Sequence, residues 1–320
     1  MSKCSADVMS GAAENLLAGN LVAFPTETVY GLGADACNAD AVARIYSVKG
    51  RPADHPLIVH VASMEGLGDW AAQVPEYAIA LARDFWPGPM TLIVKRSSLA
   101  GDFVTGGQDT VGVRVPAHPV ALGLLEAFAR VGGKGVAAPS ANRFGNVSPT
   151  TAQAVADELS DYLGEADQIL DGGACEVGVE STIIDCTGDV PRILRPGAVT
   201  VAMIEESTGM SVVGAVESAD IRVSGSLESH YAPMATVVLD QSPVAGQGFI
   251  AMADVATPDG IVRLAAPKTH DEFARVLFAA LREADEKGLQ TVVVAQPQGD
   301  GIAIAIRDRL KRAAHSGSQK

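Results

Sequence analysis

Short runs of consecutive apolar residues alternate with segments of helical periodicity along the first two thirds of the chain. Several runs are apolar throughout, as in strands that are covered on both faces of a sheet. Ala41, Ile45 and Val48 recur at the spacing of one helix face, and Gly50 and Pro52 predict where that helix ends. This alternation predicts an α/β domain rather than a helix bundle or a β-sandwich. The predicted strands cover residues 21–26, 56–62, 90–96, 111–116, 135–140, 168–171, 181–185 and 192–194.

The periodicity lapses over residues 208–227, which are rich in Ser, Gly and Val, and it then resumes. We interpret this stretch as part of an interdomain linker. Strand and helix patterns beyond it predict a second, smaller α/β unit. The sequence therefore predicts a first domain over residues 1–206, a linker over residues 207–234 and a small C-terminal domain over residues 235–320. The elements predicted in the last are strands at 236–239, 248–252 and 291–295 and helices at 271–286 and 302–314.

Composition is typical of a folded protein that acts on small molecules. Hydrophobic residues make up 48% of the chain and charged residues 19%, which excludes a disordered protein. No apolar run reaches the roughly 20 residues that cross a bilayer, and the first residues lack a signal-peptide core, so we expect a cytoplasmic location. Four cysteines stand far apart without metal-ligand spacing, which favours reduced thiols over disulfides or a zinc site: Cys4, Cys37, Cys175 and Cys186.

The charge balance changes how the basic residues are interpreted. With 24 Lys and Arg against 38 Asp and Glu, the net charge of −14 argues against a protein that grips a nucleic-acid backbone. Lys49, Arg51 and His55 nevertheless fall within residues 49–56 (KGRPADHP). Two cations and an imidazole suit a triphosphate. A solvated cationic helix end is an equally simple interpretation of the same segment.

Two polar side chains interrupt apolar strands. His60 in residues 57–61 (LIVHV) needs a hydrogen-bond partner, and such a histidine is more often a satisfied core residue than a functional one. Arg114 in residues 111–116 (VGVRVP) is too polar to bury unpaired. It must meet either a buried carboxylate or an anionic ligand, and the sequence leaves both open.

Hydroxyl groups and cations follow nearly every predicted strand. Residues 25–33 form a hydroxyl-rich turn after the first strand, residues 139–150 lead into a helix start with phosphate-site character, and Arg195 ends the last strand of the domain. A Thr150 hydroxyl is predicted to cap that helix. The sequence contains neither a Walker loop nor a G-x-S-x-G elbow, so we expect positioning and charge neutralisation to carry catalysis.

Taken together, these segments resemble the long form of the threonylcarbamoyl-AMP synthase family. Nine motifs occur in family order across residues 8–205, and residues 230–233 (HYAP) match the end of the family's linker. The motifs are residues 25–33 (PTETVYGLG), 49–52 (KGRP), 56–60 (PLIVH), 85–92 (FWPGPMTL), 112–116 (GVRVP), 139–142 (PSAN), 148–151 (SPTT), 180–185 (ESTIID) and 193–197 (ILRPG). The resemblance implies a twisted, open, mixed YrdC-like sheet, joined by the linker to a smaller Rossmann-like α/β domain.

The resemblance also implies the reaction and the site. The enzyme would be a nucleotidyltransferase that joins L-threonine, bicarbonate and ATP into threonylcarbamoyl-AMP and pyrophosphate, for threonylcarbamoyladenosine modification of tRNA. The family's threonine pocket maps onto Thr28, His60, Arg114, Ala138 and Ser181. Its ATP site maps onto Arg51, His55, Thr110, Ser140, Asn142, Ser148, Arg195 and Tyr231.

Lys49 and Arg51 are the implied catalytic residues beside the phosphates. Magnesium is expected with ATP and without direct protein ligands. The implied partners are the three substrates and, transiently, a downstream tRNA-modifying transferase, with no membrane and no strong nucleic-acid binding.

The linker departs from the family pattern. Residues 224–229 (SGSLES) lack the proline and the lysine that family linkers carry, so the resemblance does not imply phosphate contacts there. We expect the linker to act instead as a lid that closes over the nucleotide. His230 is a weaker site candidate than Tyr231. Two alternatives are a carbamoyltransferase-related enzyme, which predicts zinc-finger or acylphosphatase-like segments that are absent here, and an RNA-binding or ribosome-assembly factor, which the acidic charge opposes.

Overall fold

The computed structural model describes residues 5–213, 221–225 and 231–315. The helices are α1 (Ala6–Leu17), α2 (Ala39–Lys49), α3 (Leu67–Trp70), α4 (Glu76–Phe85), α5 (Asp102–Thr105), α6 (Pro119–Arg130), α7 (Ala152–Leu159), α8 (Val201–Thr208), α9 (His270–Glu286) and α10 (Ile302–His315), with a 3₁₀ turn at Met64–Gly66. The strands are β1 (Val22–Phe24), β2 (Gly31–Asp35), β3 (Ile58–His60), β4 (Ala71–Gln73), β5 (Met90–Arg96), β6 (Thr110–Arg114), β7 (Val136–Ala137), β8 (Gln168–Ile169), β9 (Thr182–Asp185), β10 (Arg192–Arg195), β11 (Thr236–Leu239), β12 (Gly248–Ile250), β13 (Val262–Ala265) and β14 (Thr291–Val294).

The first domain is built on one mixed sheet. Within the described residues it has ten strands in the order β10-β9-β5-β6-β3-β7-β2-β1-β8, and β4 pairs with β5 beside this path. The pairs β3/β6, β5/β9 and β1/β8 are parallel, and the others are antiparallel. The expected mixed α/β sheet is confirmed.

Alternate residues of the strands enter different hydrophobic clusters, as the period of two in a strand requires. Leu21 and Ala23 belong to the large cluster that includes α2, α4, α7 and α8, whereas Val22 and Phe24 belong to the cluster with α1 and α6. On this second face Ile58, Ile93 and Ile183 pack instead with Val223 of the linker. The second face is therefore covered by α1 and α6 in one part and by the linker in another.

Local sequence signals set several helix ends. The Asn38 side chain accepts hydrogen bonds from the first turn of α2, and Gly50 ends that helix in the left-handed conformation with φ of 61°. The helix after residues 148–150 is capped by the Thr151 side chain, which accepts from the Ala154 N–H. The prediction of Thr150 as this cap was therefore wrong by one residue.

The second domain has a parallel sheet in the order β11-β14-β12-β13, with α9 and α10 packed in its core. A parallel sheet covered by helices is the arrangement expected of a Rossmann-like unit, and this prediction is confirmed. Sequence reasoning missed β13. The domain core extends across the boundary, because Val29, Val147 and Val179 of the first domain share a cluster with Phe273.

Other differences from the predicted elements have simple physical causes. Residues 31–33 belong to the predicted hydroxyl-rich turn, but in the structure they begin β2, where pairing with β1 holds them extended. Helix α1 was missed because its buried face is largely alanine, which gives a weak hydrophobic signal: Met9, Ala12, Ala13 and Leu16. Helix α8 runs two residues past the predicted end of the first domain.

The described residues provide neither a membrane-spanning helix nor a cluster of metal ligands. None of the helices in this part of the chain is both long and apolar enough to traverse a bilayer. Within residues 5–213, 221–225 and 231–315, no group of three or more His, Cys, Asp or Glu side chains could hold a metal ion.

Candidate active site

A small cavity lies on the second face of the first sheet, between the α1/α6 cluster and the linker, and most of its lining residues carry polar side chains. Residues His60 and Arg114 are Cα partners on the parallel strands β3 and β6, so both side chains reach the same face. Turn residues after β1, loop residues after β7, residues before β9 and the last residue of β10 complete the cavity. Its lining is Thr26, Thr28, Val29, Gly31, Ile58, His60, Arg114, Ala138, Pro139, Ser140, Glu180, Ser181, Arg195 and Ser224.

All five residues predicted for threonine line this cavity, together with two of those predicted for ATP, Ser140 and Arg195. The other predicted site residues do not line the cavity; they are Lys49, Arg51, His55, Thr110, Asn142, Ser148 and Tyr231. Part of the cavity lies on a face of the sheet, whereas the tendency of ligands to bind at the carboxyl ends of strands predicts a site only at the edge of the sheet. Residues that are far apart in the chain thus converge on one crevice.

Of the two partners that the sequence left open for Arg114, the structure shows the buried carboxylate, which belongs to Glu27. Its Nη2 donates to Glu27 Oε1 at 2.6 Å, and its Nη1 donates to the Thr28 hydroxyl at 3.0 Å. The other Glu27 oxygen accepts from the Ala117 N–H at 3.0 Å. Both side chains of the ion pair are less than 10% exposed. The guanidinium is held in place by a carboxylate outside the cavity while it lines the cavity itself.

His60 is buried and uncharged. Burial, with a contribution from nearby Arg114, lowers the pKa of His60 to about 3. Its ring meets Phe24 edge to face, with the centroids 6.0 Å apart. Its Nδ1 has no hydrogen-bond partner within the described part of the chain. A neutral imidazole with a free nitrogen, facing a polar cavity, can donate to or accept from a small ligand.

Arg195 also lines the cavity. Its Nε and Nη2 donate to the Ser181 carbonyl at 3.1 and 2.9 Å, and Nη2 also reaches the Ser181 hydroxyl at 3.1 Å. Its Nη1 donates to the backbone carbonyl of Ser224 in the linker at 2.8 Å. Burial lowers the pKa of Arg195, and neighbouring Arg309 and Arg114 act in the same direction.

Arg51 lies just beyond the cavity, behind Ser224. Its Nη2 donates to the Pro56 carbonyl at 2.9 Å and to the Ser224 hydroxyl at 3.2 Å. Its guanidinium and the His55 ring both approach Phe144, at 6.0 and 5.4 Å. No carboxylate lies within salt-bridge distance of Arg51 among the described residues. Burial lowers its pKa to about 10, which still leaves it charged at neutral pH.

Lys49 is fully buried, and its ammonium group does not line the cavity. Its Nζ donates to the Ser140 carbonyl at 2.6 Å and to the Asn142 carbonyl. Burial and nearby Arg51 lower the pKa of Lys49. In this geometry Lys49 fixes the loop after β7 that carries Ser140. The predicted place of Lys49 beside the phosphates stays a prediction.

Four more of the predicted ATP residues lie outside the cavity lining: Asn142, Ser148, Thr110 and Tyr231. Ser148 donates to Glu180 Oε1 at 2.6 Å, and Asn142 keeps a buried Oδ1 that accepts nothing in the described residues. Thr110 lines a neighbouring cleft that shares Ile58 and Ser224 with the main cavity. Tyr231 is buried at the domain boundary, with its ring stacked on Phe278. His230 lies outside the described residues.

Sequence reasoning assigned no role to four residues that shape this site: Glu27, Glu180, Ser224 and Arg309. A signal existed for two of them. Arg114 on an apolar strand requires a carboxylate, and Glu27 stands at the end of a strand. Arg309 falls among the apolar positions of α10, next to Leu310 and one turn after Ile306. Ser224 gave no signal, because its place depends on the path of the linker.

Comparison with known proteins identifies the family. A family model described as Telomere recombination (Sua5_yciO_yrdC) matches residues 14–197, and one described as Threonylcarbamoyl-AMP synthase, C-terminal domain, matches residues 199–315. The chain belongs to the threonylcarbamoyl-AMP synthase family. The family expected from the sequence motifs is thereby confirmed.

Individual members of the threonylcarbamoyl-AMP synthase family match nearly the whole chain. The enzyme of that name from Pyrococcus abyssi is 40% identical over 330 residues, which cover 95% of this chain and 93% of the relative. The Bacillus subtilis enzyme is 39% identical over 324 residues, which cover 95% and 92%. The crystal structure of P. abyssi Sua5 complexed with L-threonine superposes with a TM-score of 0.87 at 38% identity, covering 99% of this chain and 96% of that one.

Proposed function

We propose that this chain is an L-threonylcarbamoyladenylate synthase, which forms threonylcarbamoyl-AMP and pyrophosphate from L-threonine, bicarbonate and ATP. The observation that carries the proposal is the cavity that holds Arg114 and Arg195 together with Thr28, His60 and Ser181. Two cations and a set of neutral donors in one crevice of an acidic protein suit an amino acid beside a nucleotide. The relatives' shared name supports the same reaction.

Threonine would occupy the side of the cavity formed by β3 and β6. Arg114 is proposed to bind its carboxylate, since the Glu27 contact holds the guanidinium but leaves it on the cavity wall. His60, being neutral, would hydrogen-bond to the ligand without repelling an ammonium group. Once its ammonium group has lost a proton to solvent, the amine of threonine would react with bicarbonate, which yields a carbamate and water.

ATP would occupy the side formed by Arg195 and Ser140, and it would extend past Ser224 towards Arg51. The carbamate oxygen attacks the α-phosphorus, and pyrophosphate leaves as the new phosphorus–oxygen bond forms. This step makes the enzyme a nucleotidyltransferase. Arg195 and Arg51 are proposed to neutralise the phosphate oxygens, which is the kind of stabilisation that fixed charges in a buried site provide best. Arg51 suits this role because none of the described carboxylates forms a salt bridge with it, and nearby Asp54 pairs with Arg222 instead.

The residues around the cavity fit magnesium that arrives with the nucleotide. Glu180 is the carboxylate of the lining, and hydrogen bonds from Ser148 and Arg309 already occupy its two oxygens. The remaining oxygen donors are hydroxyl groups and carbonyls, so phosphate oxygens and water would supply most of the ligands. Bound in this way, magnesium would supply charge neutralisation on the leaving pyrophosphate.

The product is proposed to serve the threonylcarbamoyladenosine modification of tRNA in the cytoplasm. A downstream tRNA-modifying transferase would receive threonylcarbamoyl-AMP through a transient contact. The acidic net charge of −14 fits an enzyme that makes an activated small molecule and does not itself hold RNA tightly.

The test is a reconstituted reaction with purified protein, ATP, magnesium, L-threonine and bicarbonate. We expect pyrophosphate release that depends on both threonine and bicarbonate, and a product with the mass of threonylcarbamoyl-AMP. Absence of pyrophosphate would contradict the proposal. Use of carbamoyl phosphate in place of bicarbonate and threonine would favour the carbamoyltransferase alternative, and tight, salt-sensitive RNA binding would favour the RNA-binding one.

A further inference from the structure

Helix α10 of the second domain places one arginine against the wall of the cavity in the first domain. The Arg309 side chain is fully buried, and its Nε donates to Glu180 Oε2 at 2.8 Å. Its Nη2 donates to the backbone carbonyls of Pro196 at 3.0 Å and Glu180 at 3.3 Å. Glu180 itself lines the cavity. A cation of the second domain therefore contacts a residue of the proposed active site directly.

The Glu180 carboxylate is held from two sides. Oε1 accepts the Ser148 hydroxyl at 2.6 Å, while Oε2 accepts from Arg309. Burial alone would raise the pKa of Glu180, but Arg309 first and Arg195 second outweigh it and lower that pKa. The carboxylate is thus charged, buried and close to two arginines, one from each domain.

The two arginines are not equivalent. Arg195 lines the cavity and makes its hydrogen bonds to the Ser181 and Ser224 backbone and to a hydroxyl, with none to Glu180. Arg309 makes the ion pair with Glu180. If Arg309 were absent, the nearby cation left to compensate the buried Glu180 charge would be Arg195. A carboxylate compensated by Arg195 would cancel the positive potential that an anionic ligand needs there.

We infer that Arg309 is a positioning residue for the nucleotide: by neutralising Glu180 it leaves Arg195 free to bind phosphate. The inference rests on the proposed function in assigning ATP to Arg195. The second domain thereby contributes to the active site of the first, because the Glu180 charge in the cavity wall is neutralised by Arg309 only when α10 packs against the first domain.

Helix α10 also offers a matched control. Arg307 is two residues away on the same helix, but its Nη1 and Nη2 donate to the carbonyls of Pro297 and Gly299 at 2.7 and 2.8 Å. These contacts stay within the second domain. Replacing Arg307 removes the same side chain from the same helix and leaves the Glu180 pair intact.

The experiment compares full-length wild type with R309M, R309K, R307M, E180Q and the double variant E180Q/R309M. Titration calorimetry measures binding of a non-hydrolysable ATP analogue, and thermal unfolding reports which variants are folded. We expect R309M to weaken analogue binding by about tenfold or more, as loss of a buried charge partner does at other interfaces. R309K and R307M are expected to stay within about twofold of wild type, the error of such comparisons.

The double variant separates positioning from a merely structural role. In the E180Q background no carboxylate remains to be neutralised, so E180Q and E180Q/R309M should bind the analogue equally, within about twofold. In pyrophosphate-release kinetics R309M should raise the KM for ATP and change the KM for threonine by less than about twofold, because Arg114 has its own carboxylate partner. The comparison of E180Q with E180Q/R309M still tests the inference if R309M alone does not fold.

Three outcomes would overturn the inference: unchanged analogue binding by folded R309M, equal losses in R307M, or a further loss from R309M in the E180Q background. Failure of the proposed function gives a different pattern. Wild type that binds the analogue in this Glu180-dependent way but releases no pyrophosphate would refute the synthase activity and support the role of Arg309.

Discussion

Glu27 and Arg114 form a buried ion pair at the wall of the cavity, with Oε1 and Nη2 2.6 Å apart and both side chains less than 10% exposed. The pair joins the turn after β1 to the end of β6. An exposed pair in the same protein, Arg96 and Asp102, has the same 2.6 Å separation, but the Asp102 side chain is 77% exposed. The two pairs therefore have like geometry and different solvation.

Replacing Glu27 by Gln should destabilise the protein far more than replacing Asp102 by Asn. Removing one partner of a buried pair leaves an uncompensated charge and costs about 3–5 kcal/mol, whereas an exposed pair contributes about 0–1 kcal/mol. The E27Q variant should also raise the KM for threonine with little change in the KM for ATP, because only Arg114 loses its support. Denaturant unfolding and steady-state kinetics of both variants measure these effects. Equal loss of stability would show that burial of the Glu27 pair does not matter.

Arg51→Ala should lower activity without lowering stability, whereas Arg114→Ala should lower both. Arg51 bonds only to a carbonyl and a hydroxyl in the described contacts, so its removal leaves no buried carboxylate behind. We expect Arg51→Ala to keep the fold and to lower kcat/KM for ATP by roughly 10- to 100-fold, the effect of one charged hydrogen bond.

Arg114→Ala leaves the buried Glu27 carboxylate without its charged partner, so it should lower both the unfolding free energy and the apparent affinity for threonine. Thermal unfolding and pyrophosphate release check both variants. Unaltered activity of Arg51→Ala would remove Arg51 from the site, and an unchanged threonine response in Arg114→Ala would remove Arg114 from the threonine pocket.

His60 should make the stability of the protein depend on pH. Its pKa is about 3 in the folded protein, against about 6.5 in an unfolded chain. Above pH 6.5 the group is neutral in both states and contributes no pH dependence. As the pH falls from 6.5 towards 3, only the unfolded chain takes up this proton, so the folded state loses stability, by about 2 kcal/mol at pH 5.

The measurement is the unfolding free energy of wild type and His60→Gln at pH 7.5 and pH 5. The loss between the two pH values should be about 2 kcal/mol smaller in the variant, because glutamine does not titrate. Equal losses in both proteins would mean that His60 is protonated in the folded state.

The linker should compete with the nucleotide in the conformation seen here. Ser224 accepts hydrogen bonds from Arg195 and Arg51, two of the arginines proposed for phosphate. Gly225 has φ of 79°, and a Cβ at this position would lie 2.3 Å from the Tyr231 hydroxyl. Gly225→Ala should therefore disfavour the docked linker by about 1–2 kcal/mol and tighten binding of an ATP analogue by up to about tenfold. Titration calorimetry measures the affinity, and weaker binding would show that the docked linker belongs to the nucleotide site.

Much of the first domain was predictable because its strands are apolar runs ended by turn residues. Strand β5 occurs at the predicted residues Met90–Arg96, and helix α4 ends one residue before the predicted Trp86. Strand β2 was not predictable, since its Gly31 and Gly33 favour a turn locally and pairing with β1 holds them extended. The alanine-rich face of α1 was missed for a related reason, because its burial depends on α6 and the sheet.

For the site, the nine ordered motifs were enough to indicate the family, and the five residues predicted for threonine line one cavity. The alternation of Ile58 and His60 on one strand already placed both on one face, because successive side chains of a strand point to opposite sides. The sequence did not allow us to predict which distant side chains pair with one another. The pairings of Glu27 with Arg114, of Arg309 with Glu180 and of Ser224 with two arginines were decided by the tertiary structure, because contacts between residues 87, 129 or 173 positions apart depend on how the domains and the linker dock.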